Sequence, residues 1–409
     1  MQYIKRDLER VVLQASEEYP AVIITGSRQI GKTTMLQKLM QGTTRNYVTL
    51  DDLTERALAQ NDPEMFLQLH KPPILIDEVQ YAPQLFTYIK IHADRNQRPG
   101  DFWMTGSQSF KLMKLAGESL VGRACILHMC TMSQNELYGN GENLPFTLNQ
   151  DALQMRIAAR TPADTPAIYE RIFRGSMPAL TSGHVSNRNL FYSSYLQTYI
   201  ERDIRELDGD IESVEFLRFI TAVACRTGQM VNYADIGNDM GGMRSEKVQE
   251  WLGLLEKSDI IFYLHPYSNN LLKRTVSKPK LYFYDTGLVC YLTKWSSPEV
   301  AESGAMNGAL LENYTVSEII KSYQNSGLEP YLYYYRDRDA KEIDVVMEGD
   351  GKLYPIEIKK TANPDKRIIR TFSVIDKAPL EVGTSAVLCM AESLSAFDKD
   401  NLIVPIWMI

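Results

Sequence analysis

Near the amino terminus, Gly26-Ser27-Arg28-Gln29-Ile30-Gly31-Lys32-Thr33 follows the pattern GxxxxGK(S/T), with an apolar run before it and a helical pattern after it. Glycines at both ends of such a loop let successive backbone N–H groups turn inward on an anion. Lys32 adds a point charge for phosphate and Thr33 a hydroxyl suited to Mg2+, while the helix that follows contributes the partial positive charge of its N-terminus. Strand, loop and helix in that order mark a phosphate-binding loop. The expected cofactors are therefore ATP and Mg2+. The expected nucleotide contacts are Gly26, Ser27, Arg28, Gln29, Ile30, Gly31, Lys32, Thr33 and Thr34.

An acidic pair, Asp77-Glu78, ends the apolar run PILIDE. In an α/β sheet the carboxyl end of a buried strand is where ligands sit. Asp77 there is placed to hold Mg2+ through water, with Thr33 as its companion, and Glu78 to orient and deprotonate the attacking water. Lys32 and Glu78 are thus the expected catalytic pair. Thr105 and Ser107 close the run FWMTGSQ and are candidate sensors of the γ-phosphate or of that water. Arg123 is a candidate arginine finger, in cis or from a neighbouring subunit, with a surface salt bridge as its alternative. Arg28 faces the nucleotide or a partner, or makes a surface or interdomain salt bridge.

The carboxy-terminal region carries a second set. Asp344 lies in EID, Glu357 and Lys359 lie in IEIK beyond the turn EGDGKL, and a helical run upstream carries Glu312. A hairpin brings the two carboxylates together, and residues two apart on a strand share a face, which puts Lys359 beside Glu357. Two carboxylates suit Mg2+ and a lysine suits a developing phosphate charge. The arrangement resembles the PD-(D/E)xK nuclease superfamily, with Glu312 matching the acid that its first helix often supplies. That resemblance implies a restriction-endonuclease-like fold, either cutting DNA or kept as an inert interaction module. Lys360, Lys366, Arg367 and Arg370 make a nearby basic patch, suited to a phosphate backbone or simply solvated.

Positioning these groups takes more than one core, since 409 residues exceed what a single domain encloses. Apolar residues at 44% and charged residues at 23% are the balance of a soluble globular chain. No apolar run nears the roughly 18 residues of a membrane helix. The charged start MQYIKRDLERVV reads as an amphipathic helix and not as a secretory signal. The five cysteines show no CxxC pairs, which argues against zinc or a disulfide framework and for a reducing cytoplasm. A net charge of −7 excludes a surface committed throughout to nucleic acid, though not a local basic groove.

Strands alternating with helices predict a parallel sheet covered on both faces over residues 1–140. A helical stretch spans 141–210. Over 211–300, three helical runs precede two extended pieces, the order of a winged helix-turn-helix. Its recognition helix, SEKVQEWLGLLEK, is slightly acidic, whereas Lys273, Arg274, Lys278 and Lys280 cluster in the wing. Contact with DNA through that wing and plain interdomain packing are both open. The nuclease-like α/β unit occupies 301–409.

In order, GSRQIGKTT, PPILIDEVQ, TGSQ, ESLVGRA, YLQTYIERDI, KLYFYDTGL, LLENYTVSEI, YYYRDRDAKEIDVV and PIEIKK resemble one family, the bacterial and archaeal AAA-type ATPases that carry a C-terminal domain of undetermined function. The resemblance spans nearly the whole chain. It implies an α/β fold with an AAA-like P-loop sheet, a winged-helix middle and a nuclease-like end. It carries over Lys32, Thr33, Asp77 and Glu78 as nucleotide-site residues. Arg202 and Asp203 match the family's RD pair, read here as a structural ion pair, and Ser27 stands where the family often has proline. The expected function is a Mg2+-dependent ATPase that couples ATP and ADP states to C-terminal domains acting on DNA or on a protein partner. It would be cytoplasmic and off the membrane, as a monomer or an oligomer. The alternatives are an ATP-regulated DNA nuclease and a nucleotide-gated switch or scaffold with negligible turnover.

Overall fold

A computed structural model describes residues 3–106, 117, 119–139, 142–200, 204, 212–268, 278–337 and 339–409. Ser107, Arg202, Asp203, Lys273 and Arg274 lie outside the described residues.

The first apolar runs form a five-stranded parallel sheet of order β2-β3-β4-β1-β5. Its strands are β1 (Ala21–Thr25), β2 (Asn46–Thr49), β3 (Ile74–Asp77), β4 (Phe102–Thr105) and β5 (Ala124–His128). β1, β3 and β4 are buried at every position, so their sequences run apolar without alternation. Successive residues of β1 serve opposite faces. Ala21 and Ile23 join a core with Phe86 and Ile89, and Val22 and Ile24 join another with Val12 and Met35. The covering helices are α1 (Glu9–Glu18), α2 (Lys32–Leu39) and α3 (Leu85–Asn96). The amphipathic start of the chain becomes helical only at Glu9.

The chain leaves this sheet through the short helix α4 (Gln134–Tyr138), capped by a reciprocal Ser133–Glu136 box. Helices then predominate up to Tyr199. Three more, α5 (Ser213–Ala224), α6 (Tyr233–Asp239) and α7 (Ser245–Lys257), precede an antiparallel pair, β6 (Ile261–Pro266) and β7 (Lys280–Phe283). The long helix α8 (Asn307–Gln324) introduces the remaining strands, β8 (Leu332–Arg336), β9 (Glu342–Gly349), β10 (Lys352–Lys359), β11 (Glu381–Val382), β12 (Ser385–Cys389), β13 (Ser395–Asp398) and β14 (Asn401–Pro405).

Helices and hairpin come in the order expected from the sequence, but they do not stand apart from the carboxy-terminal strands. β6 pairs in parallel with β8 through His265 and Tyr333, so a second sheet runs β13-β14-β12-β10-β9-β8-β6-β7, with β11 beside β10. One apolar cluster extends from Phe146 through Trp251 and Tyr282 to Ile409. Residue 300 therefore does not divide two cores. Pairing across the sheet edge and apolar packing override the change of local pattern that suggests a boundary there.

Two polar seams fix the segment by which the chain leaves the first sheet. α8 is buried along most of its length, polar residues included. Glu318 Oε2 accepts from the Gln134 backbone N–H at 2.7 Å, and Lys321 Nζ donates to Glu318 Oε1 at 2.8 Å and to Met132 O at 3.1 Å. Gln134 Nε2 reaches the carbonyl of Ile409 at 2.9 Å. The other seam is Arg6, 3% exposed. It donates from Nη1 to Ile30 O at 2.8 Å, from Nη2 to Cys130 O at 2.7 Å and from Nε to Glu136 Oε1 at 2.7 Å.

Asp7 lies against the same Glu136, and its carboxylate accepts from Asn135 Nδ2 at 2.7 Å. Burial first, and then the Glu136 charge, push the Asp7 carboxyl up to about 7. A carboxyl raised in the folded state weakens the fold as pH climbs from the unfolded value through the folded one. The Asp7→Asn variant should therefore melt above the wild type at pH 8, by roughly 1 °C for about 1 kcal/mol in a chain of this size. The gap should close toward pH 4. Melting curves across that range check the sign.

Candidate functional site

The parallel registers place Ile24 opposite Thr105 and Ile76 opposite Met104, so β1, β3 and β4 end along one edge. The loop leaves β1 there. Gly26 has φ 132°, and a Cβ on it would stand 2.2 Å from the Met129 carbonyl, so no other residue fits without moving β5's exit. Gln29 and Gly31 also take positive φ, 62° and 91°, which curls the loop over the start of α2.

Lys32 is buried, and its Nζ donates to the carbonyls of Gly26 and Ser27, both at 2.7 Å. Burial lowers this ammonium to about 8, opposed by Glu78, then Asp259, and less by Asp77, while Arg28 adds a lowering push. Thr33 Oγ1 donates to Asp77 Oδ1 at 2.6 Å, Thr105 Oγ1 donates to the same oxygen, and Tyr47 OH reaches Oδ2 at 3.4 Å. A hydroxyl and a carboxylate held this close are the hard oxygen donors that Mg2+ takes, so the residues present fit that ion.

Glu78 follows with φ 57°, a left-handed turn that carries its side chain off the strand axis. Its N–H donates to Thr105 Oγ1 at 3.3 Å, and its carboxylate accepts from Gln80 Nε2. Tyr47 and Gln80 carry no signal in the sequence that marks them for this site. Both belong to β-type or turn patterns whose side-chain direction depends on how neighbouring strands pair.

Arg123 takes the salt-bridge alternative. Its backbone carbonyl bonds Ala21 N, which sets it at the amino end of β1 and β5, a whole strand from the loop at about 3.3 Å per residue. Its guanidinium grips both oxygens of Asp94 and the Val121 carbonyl. It cannot act as a finger in cis on this nucleotide site. A residue just before a strand that enters the sheet is always at the wrong edge.

The carboxy-terminal residues do converge. β9 and β10 pair antiparallel, Val345 opposite Ile356. Lys359 Nζ lies 2.6 Å from Glu357 Oε2 and 3.2 Å from Asp344 Oδ2, which also accepts from Ile358 N at 2.8 Å. Burial, and then the Asp344 charge, push Glu357 up to about 8. Burial opposes the Lys359 charge, yet Asp344 and Glu357 hold it above the usual lysine value.

Glu312, however, faces a partner that the sequence pattern places elsewhere. Lys280 of β7 is 3% exposed, 2.9 Å from Glu312 Oε1 and 2.5 Å from Glu342 Oε1. Tyr282 OH donates to Glu312 Oε1 at 2.6 Å. Lys280 is therefore not part of a wing surface, whereas Lys278 is exposed. Among the described residues no three His, Cys, Asp or Glu side chains are grouped to hold a metal ion. The basic patch also thins. Lys360 binds the Glu302 carbonyl and packs over Tyr169, and Arg367 pairs with Asp365 while remaining exposed, as do Lys366 and Arg370.

Three family models match successive stretches of the chain. Residues 18–138 match an AAA domain, residues 165–299 a domain of unknown function (DUF8612) and residues 307–409 a further domain of unknown function (DUF4143). Similar proteins of Mycobacterium tuberculosis and Mycobacterium bovis, each described as uncharacterized, are 27% identical over 365 residues, 88% of this chain and 75% of theirs. Among solved structures, the Walker-type ATPase of Pyrococcus abyssi is 12% identical with a TM-score of 0.42, over 70% of this chain and 94% of that one. The Thermotoga maritima RuvB Holliday junction branch migration motor is 14% identical with a TM-score of 0.30, over 63% and 88%. No helix among the described residues is long and apolar enough to cross a membrane. The amino-terminal sheet and its phosphate loop are a P-loop ATPase domain of AAA type, joined to regions that match two domains of unknown function.

Proposed function

We propose that this chain binds ATP with Mg2+ along Gly26–Thr34, hydrolyses it, and uses the change of state to shift its C-terminal domains on DNA or on a protein partner. The observation that carries this reading is Asp77 Oδ1, which receives the hydroxyls of Thr33 and Thr105 at once. The loop's metal-facing hydroxyl and the neighbouring strand end thus meet on one carboxylate. Mg2+, when bound, neutralises charge on the β- and γ-phosphates. Lys32 has neutral carbonyl partners to leave when phosphate arrives. Glu78 takes the proton of the water that attacks the γ-phosphorus. The bond from that phosphorus to the β–γ bridging oxygen breaks, and ADP and phosphate leave. The polar seams at Gln134, Glu318 and Lys321 link this domain to the second sheet.

In the same reading the C-terminal cluster is a joint between β7, α8 and β9, because its acids are matched by two lysines. Lys280→Met would leave Glu312 without its cation while Glu342 keeps Arg336, a loss of about 3 kcal/mol. Urea unfolding should show that loss, and adding Glu312→Gln should recover part of it. A single variant as stable as the wild type would refute the joint.

For the nucleotide site, Glu78→Gln should bind ATP within about twofold of wild type and lose at least roughly 100-fold in kcat. Lys32→Ala should lose binding itself. Calorimetric titration beside phosphate release separates the two, and undiminished hydrolysis by Glu78→Gln would defeat the assignment.

A further inference from the structure

We propose that Gln80 is the positioning residue that holds the Glu78 carboxylate in place for its work on the attacking water. The inference rests on the proposed ATP site and adds to it a residue that acts through Glu78.

Glu78 turns off its strand with φ 57°, so the regular pleat of β3 does not fix where its side chain goes. The chain then closes a single tight helical turn, Val79–Tyr81, in which the Tyr81 N–H donates to Glu78 O at 3.1 Å. That turn brings Gln80 back onto its predecessor, and Gln80 Nε2 donates to Glu78 Oε2. An ionised carboxylate only accepts, so the amide must give it the nitrogen and turn its own oxygen away. Gln80 is 1% exposed, and the oxygen so turned has no hydrogen-bond partner among the described residues. A buried acceptor without a donor costs the fold stability. Packing alone therefore does not account for a glutamine here, since a methionine of the same length fills the space without that cost. What the glutamine adds is the charge-assisted bond to Glu78, the stronger kind of hydrogen bond.

The turn that carries Gln80 is firmly seated. Val79 is fully buried in the apolar core on one face of the ATPase sheet. The helix Leu53–Asn61 grips Tyr81: the Arg56 guanidinium lies 3.9 Å from its ring centroid, and Gln60 Nε2 donates to its carbonyl at 2.6 Å. Arg56 Nε also donates to Leu50 O at 2.6 Å, and the Leu50 N–H donates to Asp77 O at 3.0 Å. The grip is thus anchored on the same strand end that carries the acid pair. Gln80 is a donor on a fixed support, and with Oε2 engaged Glu78 keeps one orientation from which to take a proton.

The test measures ATP hydrolysis, and calorimetric binding of a β,γ-imido ATP analogue with Mg2+, for Gln80→Met and Gln80→Asn in the wild-type and in the Glu78→Gln background. Met keeps the volume and removes the donor, whereas Asn keeps the amide but stops one methylene short of the carboxylate. Both should bind the analogue within about twofold of wild type and lose roughly tenfold in kcat, because a misplaced base weakens the transition state and not the ground state. In the Glu78→Gln background no base remains to be positioned, so the same substitutions should change the residual rate by less than about twofold. Melting curves show that each variant is folded, and the second variant decides where the first is not. Wild-type kcat in a folded variant, an equal fractional loss in both backgrounds, or a loss of analogue binding overturns the inference and leaves the ATP site standing. Wild type that fails to bind the analogue or to hydrolyse ATP, or Glu78→Gln that hydrolyses at the wild-type rate, overturns the ATP-site reading and this inference with it.

Discussion

A guanidinium taken out of water must have its donors filled, and Arg6 fills its own with groups from three separate segments. Ile30 belongs to the phosphate loop, Cys130 to the exit of β5, and Glu136 to the first turn of α4. Leaving any of these bonds unmade would strand a buried charge, at a cost of several kcal/mol. The loop is therefore fixed relative to the strand it leaves and to the helix by which the chain departs from the ATPase sheet. Glu136 serves twice, since its other oxygen accepts from Ser133 N at 2.8 Å and closes the capping box. Phosphate binding and the departure of the chain toward its other domains share one set of hydrogen bonds.

That sharing continues into α8. A helix with Asn313, Glu318, Lys321 and Ser322 all buried would be unstable alone, and each of these side chains is answered from another element. Asn313 bonds Phe283 on both its N–H and carbonyl, Glu318 and Lys321 bind the 132–134 segment, and Ser322 Oγ accepts from Phe146 N at 2.9 Å. Polar contacts of this kind resist sliding, because a shifted helix would leave donors unfilled in a medium without water. α8 is thus held in register by polar bonds to β7, to the 132–134 segment and to Phe146.

How much of this is legible in the sequence depends on which interactions are local. The phosphate loop, the parallel sheet and the β9–β10 hairpin are readable because strand, glycine and helix signals lie within a few residues of one another. The convergence of Asp344, Glu357 and Lys359 is readable for the same reason, since a short turn fixes the register. Lys280 is misplaced by the sequence because its partners Glu312 and Glu342 are 32 and 62 residues away, and the docking of α8 on β7 and the β6–β8 pairing bring them together. Arg123 stays open between finger and salt bridge in the sequence because motif spacing does not say at which end of a strand a residue lies. The strands β13 and β14 escape notice, as SAFD and NLIVP are short and flank exposed turns.

The two lysine-centred sites use similar groups to opposite effect. Lys32 is held by two neutral carbonyls, so an incoming phosphate replaces dipoles with charge and gains by the exchange. Lys280 is held by two carboxylates and lies beside a tyrosine that serves one of them, so an incoming anion would meet charges of its own sign, and an incoming cation would have to expel a buried ammonium. The first arrangement is open to a ligand and the second is closed on itself. Lys280 sits in β7 and pairs with Glu312 of α8 and Glu342 of β9, so the closed site fixes that strand to its neighbours.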